Sequence, residues 1–131
     1  MLVLDASAAV EILLRTEIGD RALPYLIADV DQLHAPDLLW LEVASALRRA
    51  IRLADCTPGR AELALDQLAD LTIEAHRDVD LARRAFALRD NLTIYDAVYV
   101  SLAETLDATL LTSDAGMASA AGRTCEVVLV N

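Results

Sequence analysis

The amino-acid sequence predicts an α/β fold in which a parallel β-sheet is covered by helices on both faces. Three observations carry this. Short, almost wholly apolar runs recur along the chain, as expected of strands buried on two faces. Longer segments with apolar residues at the helical period separate them. The length, 131 residues, suits one domain, here 1–131, large enough to bury about 68–70% of its unfolded surface without disulfides or metal staples.

Leu2-Val3-Leu4 is an apolar run that stops at Asp5 and reads as the first strand. Helical periodicity follows over residues 7–14. Asp20 is placed to cap a second helix, with Leu23, Leu26, Ile27 and Val30 forming its apolar face. Residues 32–35 read as a second strand closed by Pro36. Asp37 is placed to cap a long helix reaching Ala54, with Leu39, Val43, Ala46, Leu47, Ala50 and Ala54 on one face. Thr57-Pro58-Gly59 breaks the chain, with threonine as cap and proline at the first helical position, and predicts a helix over 59–69. A third strand is expected over 71–75 and a helix over 80–89, ended by the Asp90-Asn91 turn signal. Thr93 caps the next helix, which runs to Leu106. Residues 109–112 form a strand, 115–121 a short helix ended by Gly122, and 126–130 the last strand. Strands alternating with helices in this way make a parallel sheet.

Composition narrows the function. The net charge is −10, which disfavours nucleic-acid binding through a broadly basic surface and suits a protein that gathers carboxylates around cations or meets a basic partner. All eleven positive side chains are arginine, so mechanisms that need a catalytic lysine are excluded. Two cysteines, Cys56 and Cys125, lack metal-site spacing and read as small hydrophobes in a reduced, cytoplasmic protein. No stretch approaches the roughly 20 apolar residues of a membrane span, and the start lacks the basic segment of a signal peptide.

Four acids stand out. In an open parallel sheet, functional groups collect beyond the carboxyl ends of the strands. Asp5 directly follows the first strand, and Asp114 lies two residues after Thr112 at the end of the fourth. Asp96 falls in the first turn of a helix, and Glu42 sits one turn into the long helix among aliphatic residues. Taken singly, each has a plainer reading: a helix cap for Asp5 and Asp114, a first-turn charge for Asp96, a solvated helix residue for Glu42. Taken together they can converge on one cleft. Clustered carboxylates repel unless a cation neutralises them, and oxygen-only ligands suit Mg²⁺ or Mn²⁺. Such ions clamp phosphate oxygens and activate water, which points to phosphoryl transfer or phosphodiester hydrolysis.

The same residues carry a family resemblance. Leu2-Val3-Leu4-Asp5-Ala6-Ser7-Ala8-Ala9-Val10 resembles the opening motif of PIN-domain proteins, and Pro36-Asp37-Leu38-Leu39-Trp40-Leu41-Glu42-Val43 is similar to their second. The segment from Leu92 to Ala103, containing Thr93-Ile94-Tyr95-Asp96, resembles the third, and Leu110-Leu111-Thr112-Ser113-Asp114 the fourth. Order, spacing and length match a VapC-type toxin of a toxin–antitoxin pair. The resemblance implies a PIN-like three-layer α/β/α fold with a five-stranded parallel sheet in order 3-2-1-4-5. It implies an Mg²⁺- or Mn²⁺-dependent ribonuclease, a homodimer, and a VapB-type antitoxin that binds it in a hetero-oligomer. By position, Asp5 and Asp96 are the principal metal ligands, Glu42 and Asp114 complete the acidic site, and the hydroxyls of Ser7 and Thr112 orient ligands or water.

Arg49 shares a helix face with Glu42 and is a candidate RNA phosphate contact, against the plainer reading of a solvated arginine. Trp40 and Tyr99 read as packing residues rather than base-stacking platforms, and His34 and His76 as structural histidines without a partner motif. Two other classes compete with the nuclease. A phosphoacceptor receiver domain has similar length and an acidic Mg²⁺ pocket but needs a lysine, as do haloacid-dehalogenase-type phosphatases. A catalytically silent PIN module that acts by binding alone is the third reading.

Overall fold

The computed structural model describes residues 1–131. The elements are β1 (Leu2–Leu4), α1 (Ala6–Leu13), α2 (Glu17–Ala28), β2 (Leu33–Pro36), α3 (Leu38–Arg52), α4 (Pro58–Asp70), β3 (Ile73–His76), α5 (Asp78–Ala87), α6 (Ile94–Leu106), β4 (Thr109–Thr112), α7 (Ala115–Ala121) and β5 (Val127–Leu129). All five strands are parallel, in the order β3-β2-β1-β4-β5. This is the order and the sheet that the sequence motifs imply.

The apolar runs are buried for the reason that identified them. In β1, Leu2, Val3 and Leu4 are at most 2% exposed, because helices cover both faces of the central strand. Helices α1 to α4 pack on one another in one layer, and α5 and α6 pack together, with α6 lying on β1, β2 and β4. That placement buries α6 continuously from Ala97 to Ala103, so its sequence is apolar nearly all round. Strand β3 is the exposed edge next to β2, and β5 is the opposite edge.

The order of the strands locates the site. The chain moves outward from β1 through β2 to β3, then crosses back to place β4 on the other side of β1. Between β1 and β4 the winding reverses, which opens a crevice at their carboxyl ends. A crossover helix that leads into a parallel strand runs antiparallel to it, so α6 starts at that edge. Helices α1, α3 and α7 follow the carboxyl ends of β1, β2 and β4 and start there too.

Several local expectations are corrected. The second helix begins at Glu17, not Asp20, because Thr16 caps it by accepting the Gly19 N–H at 3.0 Å. Its buried face is Gly19, Ala22 and Leu26, whereas Leu23, Ile27 and Val30 are exposed. Gly19 is the contact point of α2 with α1: a Cβ there would lie 2.0 Å from the Glu11 carbonyl oxygen. Asp37 occupies the N-cap position of α3 but makes no side-chain cap bond. The Leu38 N–H instead donates to Asp78 Oδ1 at 3.3 Å, a partner 40 residues away that no local rule could supply. Helix α3 ends at Arg52, and Ala54 takes a left-handed conformation (φ 59°) in the turn after it. Thr57 and Thr93 cap as expected, accepting N–H groups from Arg60 and Asp96 at 3.2 Å each.

Candidate active site

Asp5, at the end of β1, is 5% exposed, and its backbone N–H donates to the Leu111 carbonyl of β4 at 3.1 Å. It occupies the N-cap position of α1 without making a side-chain cap bond. Its Oδ2 is taken instead by two hydroxyls: Thr112 donates at 2.8 Å, and Ser7 donates as well. Those hydroxyls lie 3.2 Å apart and are themselves fixed by the next loop. The Ser113 N–H donates to Ser7 Oγ at 3.0 Å, and the Asp114 N–H to Thr112 Oγ1 at 3.0 Å. Ser7 and Thr112 thus tie the ends of β1 and β4 together around one carboxylate.

Asp114 does cap α7, accepting the Met117 N–H on Oδ1 at 2.9 Å. Capping uses one oxygen of this exposed acid and leaves the other without a hydrogen bond. Asp96 lies in the first turn of α6, half-buried, and Glu42 is half-buried one turn into α3.

Three of the four carboxyls are raised, each with another of the set among the causes. Burial pushes the Asp5 carboxyl above the usual carboxylate range, with Asp96 adding to the rise and the two hydroxyls opposing it. Glu42 is raised first by burial and then by Asp5, Asp96 and Asp78, with Tyr99 opposing. Asp96 is raised by burial and by Asp114, with Thr93 opposing. The positive ends of the helix dipoles that start at this edge offset part of the repulsion.

Two buried polar atoms here have no hydrogen-bond partner: Glu42 Oε1 and the Tyr99 hydroxyl. Tyr99 is fully buried on α6, and burial together with Glu42 raises its pKa, so it keeps its proton. An all-oxygen donor set of mutually repelling carboxylates, with a buried carboxylate oxygen left unpaired, fits a hard divalent cation.

Arg49 does not enter the carboxylate cluster. It lines an open groove on α3 together with Glu42, Ser45, Arg48 and Arg52. A cationic strip therefore borders the acids within a chain of net negative charge. Trp40 packs half-buried against the core, and Cys56 and Cys125 are free thiols in the same surroundings, Cys125 pushed by burial to about 11.

Sequence reasoning missed two contributors to the site, Tyr99 and Asp78, and one contact away from it, between His34 and His76. Tyr99 reads as a packing residue, and it is one, but its buried hydroxyl lies near Glu42; its spacing three residues from Asp96 on α6 is the available signal. Asp78 approaches from α5, and only the tertiary fold brings it near Glu42. His34 and His76, which carry no partner motif in sequence, meet each other, with His34 Nδ1 3.0 Å from His76 Nε2. Burial lowers the His34 pKa, with Glu74 opposing.

Residues 2–123 match the PIN domain family. The chain is 39% identical over 129 residues to Ribonuclease VapC1 of Mycobacterium tuberculosis, covering 98% of this chain and 96% of that one. It is 35% identical to Ribonuclease VapC9 of the same species over 99% of this chain and 98% of the relative. Among solved structures, the VapBC2 complex of Rickettsia felis bound to a DNA fragment from its promoter includes a chain that superposes with a TM-score of 0.72. That match has 12% identity and covers 99% of this chain and 98% of that one. With a family match over nearly all its length and full-length relatives well above 30% identity, the chain belongs to the PIN-domain family, among the VapC ribonucleases.

Proposed function

We propose that this protein is the toxin of a VapBC-type toxin–antitoxin pair, an endoribonuclease that hydrolyses RNA phosphodiester bonds with Mg²⁺ or Mn²⁺. The observation that carries the reading is the convergence of Asp5, Glu42, Asp96 and Asp114 at the β1/β4 crevice, with Glu42 Oε1 unpaired. The full-length likeness to proteins named as VapC ribonucleases supports the substrate class.

In this reading Asp5 and Asp96 are the principal ligands of the ion, and Glu42 and Asp114 complete the site. A divalent ion bound there supplies water activation and neutralises charge developing on the phosphate. The chain's own residues do the rest. Ser7 and Thr112 hold Asp5 in one orientation through its Oδ2. The Tyr99 side chain fills the core beneath Glu42 and keeps its own proton. Arg48, Arg49 and Arg52 offer donors for RNA phosphates beside the acids, which a protein of net charge −10 needs for any grip on RNA.

The charge also suits the antitoxin. A basic segment of a VapB-type partner entering the carboxylate crevice would displace the ion and block RNA together. Such buried pairing is favourable only with close charge matching. Exposed Phe86, Ile94 and Tyr95 on the packed α5–α6 pair support a homodimer. No helix is long and apolar enough to cross a membrane, and free cysteines suit a reducing, cytoplasmic setting. The 31-residue core cluster supports one domain over 1–131.

The test is cleavage of a generic RNA by purified protein, with the fragment 5′ ends sequenced. Discrete metal-dependent cuts are expected. Tight RNA binding without cuts would favour the silent binding module instead.

A further inference from the structure

A second cluster of ligand atoms lies away from the carboxylates, on the β2–β3 pair, and shares no residue with them. His34, Glu74 and His76 each offer one ligand atom, and all three atoms lie within 4.8 Å of one another. His34 Nδ1 is 3.0 Å from His76 Nε2 and 3.5 Å from Glu74 Oε2. Sheet register creates the arrangement. Glu74 and His76 are two residues apart on β3 and so project from the same face. His34 on β2 pairs directly with Glu74, and Pro36 pairs with His76, which puts His76 on the diagonal from His34.

We propose that His34, Glu74 and His76 form a site for a borderline divalent transition-metal ion of the Zn²⁺ class, distinct from the hard-ion carboxylate site. A tetrahedral ion with ligands at about 2.0–2.1 Å holds its donor atoms about 3.3–3.4 Å apart. The two closest separations in the cluster, 3.0 and 3.5 Å, bracket that spacing, so little side-chain movement is needed. Two imidazoles and one carboxylate are donors for Zn²⁺, Ni²⁺ or Cu²⁺ rather than for Mg²⁺. His34 is 8% exposed and fixed in the sheet, whereas Glu74 is exposed, giving the ion a preformed base and an entry path. Three protein ligands leave a fourth position open to water or to a donor from a partner.

The structural consequence falls on β3. It is an edge strand of four residues, none of them fully buried, so it gains little from packing. An ion bridging β2 and β3 clips this edge to the sheet.

The experiment titrates metal-stripped full-length protein with Zn²⁺ by calorimetry and follows the imidazole NMR signals. The chain has only two histidines, so the signals report this cluster alone. One Zn²⁺ is expected to bind the wild type and the Asp5→Asn/Asp96→Asn variant alike, shifting both imidazoles and raising the melting temperature of each. Mg²⁺ should move neither imidazole. Glu74→Gln, at an exposed position that tolerates change, should weaken Zn²⁺ about tenfold or more, and His76→Ala should abolish saturable binding at the cluster. Zn²⁺ binding that vanishes in the Asp5→Asn/Asp96→Asn variant, or that leaves both imidazoles unshifted, would overturn the proposal and make the pair a plain N–H···N hydrogen bond. Failure here would leave the ribonuclease reading intact, because that reading rests on the carboxylates.

Discussion

Thr112 offers the sharpest test of how the site is built. Its hydroxyl donates to Asp5 Oδ2 at 2.8 Å and accepts the Asp114 N–H at 3.0 Å, in a residue with no exposed surface. Thr112→Val keeps the shape and removes both bonds. A hydrogen bond to a charged group contributes about 1.5–3 kcal/mol, and the orphaned Asp114 N–H adds about 1 kcal/mol where water reaches it poorly. Asp5 can take up a proton when its donor is lost, which caps the cost, so the expected loss is about 2–4 kcal/mol. At this chain length about 4 °C accompanies each kcal/mol, a fall of roughly 8–16 °C in Tm. Thr112→Ser retains both bonds and loses one buried methyl, costing about 1 kcal/mol. Urea unfolding of the two variants in metal-free buffer separates the terms. If Thr112→Val and Thr112→Ser unfold within about 0.5 kcal/mol of each other, the hydroxyl is not what holds Asp5, and the account of the site fails at its base.

Asp96→Asn should lose cleavage activity yet melt at or above the wild type in metal-free buffer, since it removes a carboxyl that burial and Asp114 both disfavour; a marked drop would make Asp96 chiefly structural. Asp5, Glu42 and Asp96 all have folded-state values raised above 3.8 or 4.5, so the folded protein holds those protons more tightly than the unfolded chain. Their contribution to stability therefore falls as pH rises through that range and upward, so the metal-free Tm of the wild type relative to Asp5→Asn/Asp96→Asn should decline from pH 4 to 7, and saturating Mg²⁺ should reverse the decline. Gly19→Ala places a Cβ against the Glu11 backbone and should cost about 3 kcal/mol or more by urea unfolding, while Gly59→Ala, with nothing near its Cβ, should be within about 1 kcal/mol of neutral. Tyr99→Phe deletes a buried hydroxyl that has no hydrogen-bond partner, so urea unfolding should shift by less than about 1 kcal/mol. Antitoxin affinity should fall in Asp5→Asn/Asp96→Asn and with saturating Mg²⁺; equal affinities would place the antitoxin's grip elsewhere.

The parts legible in sequence were those set by local chemistry. The apolar runs of β1 and β4 and the Thr57, Thr93 and Asp114 caps follow from rules acting over a few residues. The four acids stand out in sequence because Asp5 and Asp114 follow strand ends, Asp96 lies in the first turn of a helix and Glu42 one turn into another, positions that a parallel sheet brings towards one edge. What sequence did not reveal depends on distant partners. Asp37 has the residue type and place of a cap, yet Asp78 does the work from across the fold. The buried face of α2 differs from the one its apolar periodicity predicts because Gly19 sets how closely the helix approaches α1. His34 and His76 looked isolated because their pairing needs the β2–β3 register, which only the folded sheet defines.

In the proposed function, four carboxylates form one hard-ion site on which RNA cleavage depends. The most direct measurement is the cleavage rate of a single RNA against Mn²⁺ concentration, with bound Mn²⁺ counted by EPR in the same samples. Wild-type rate should rise in step with Mn²⁺ occupancy and vanish in EDTA, and Asp5→Asn should lose occupancy and cleavage together. Cleavage that persists in EDTA, or in Asp5→Asn without bound ion, would contradict the account.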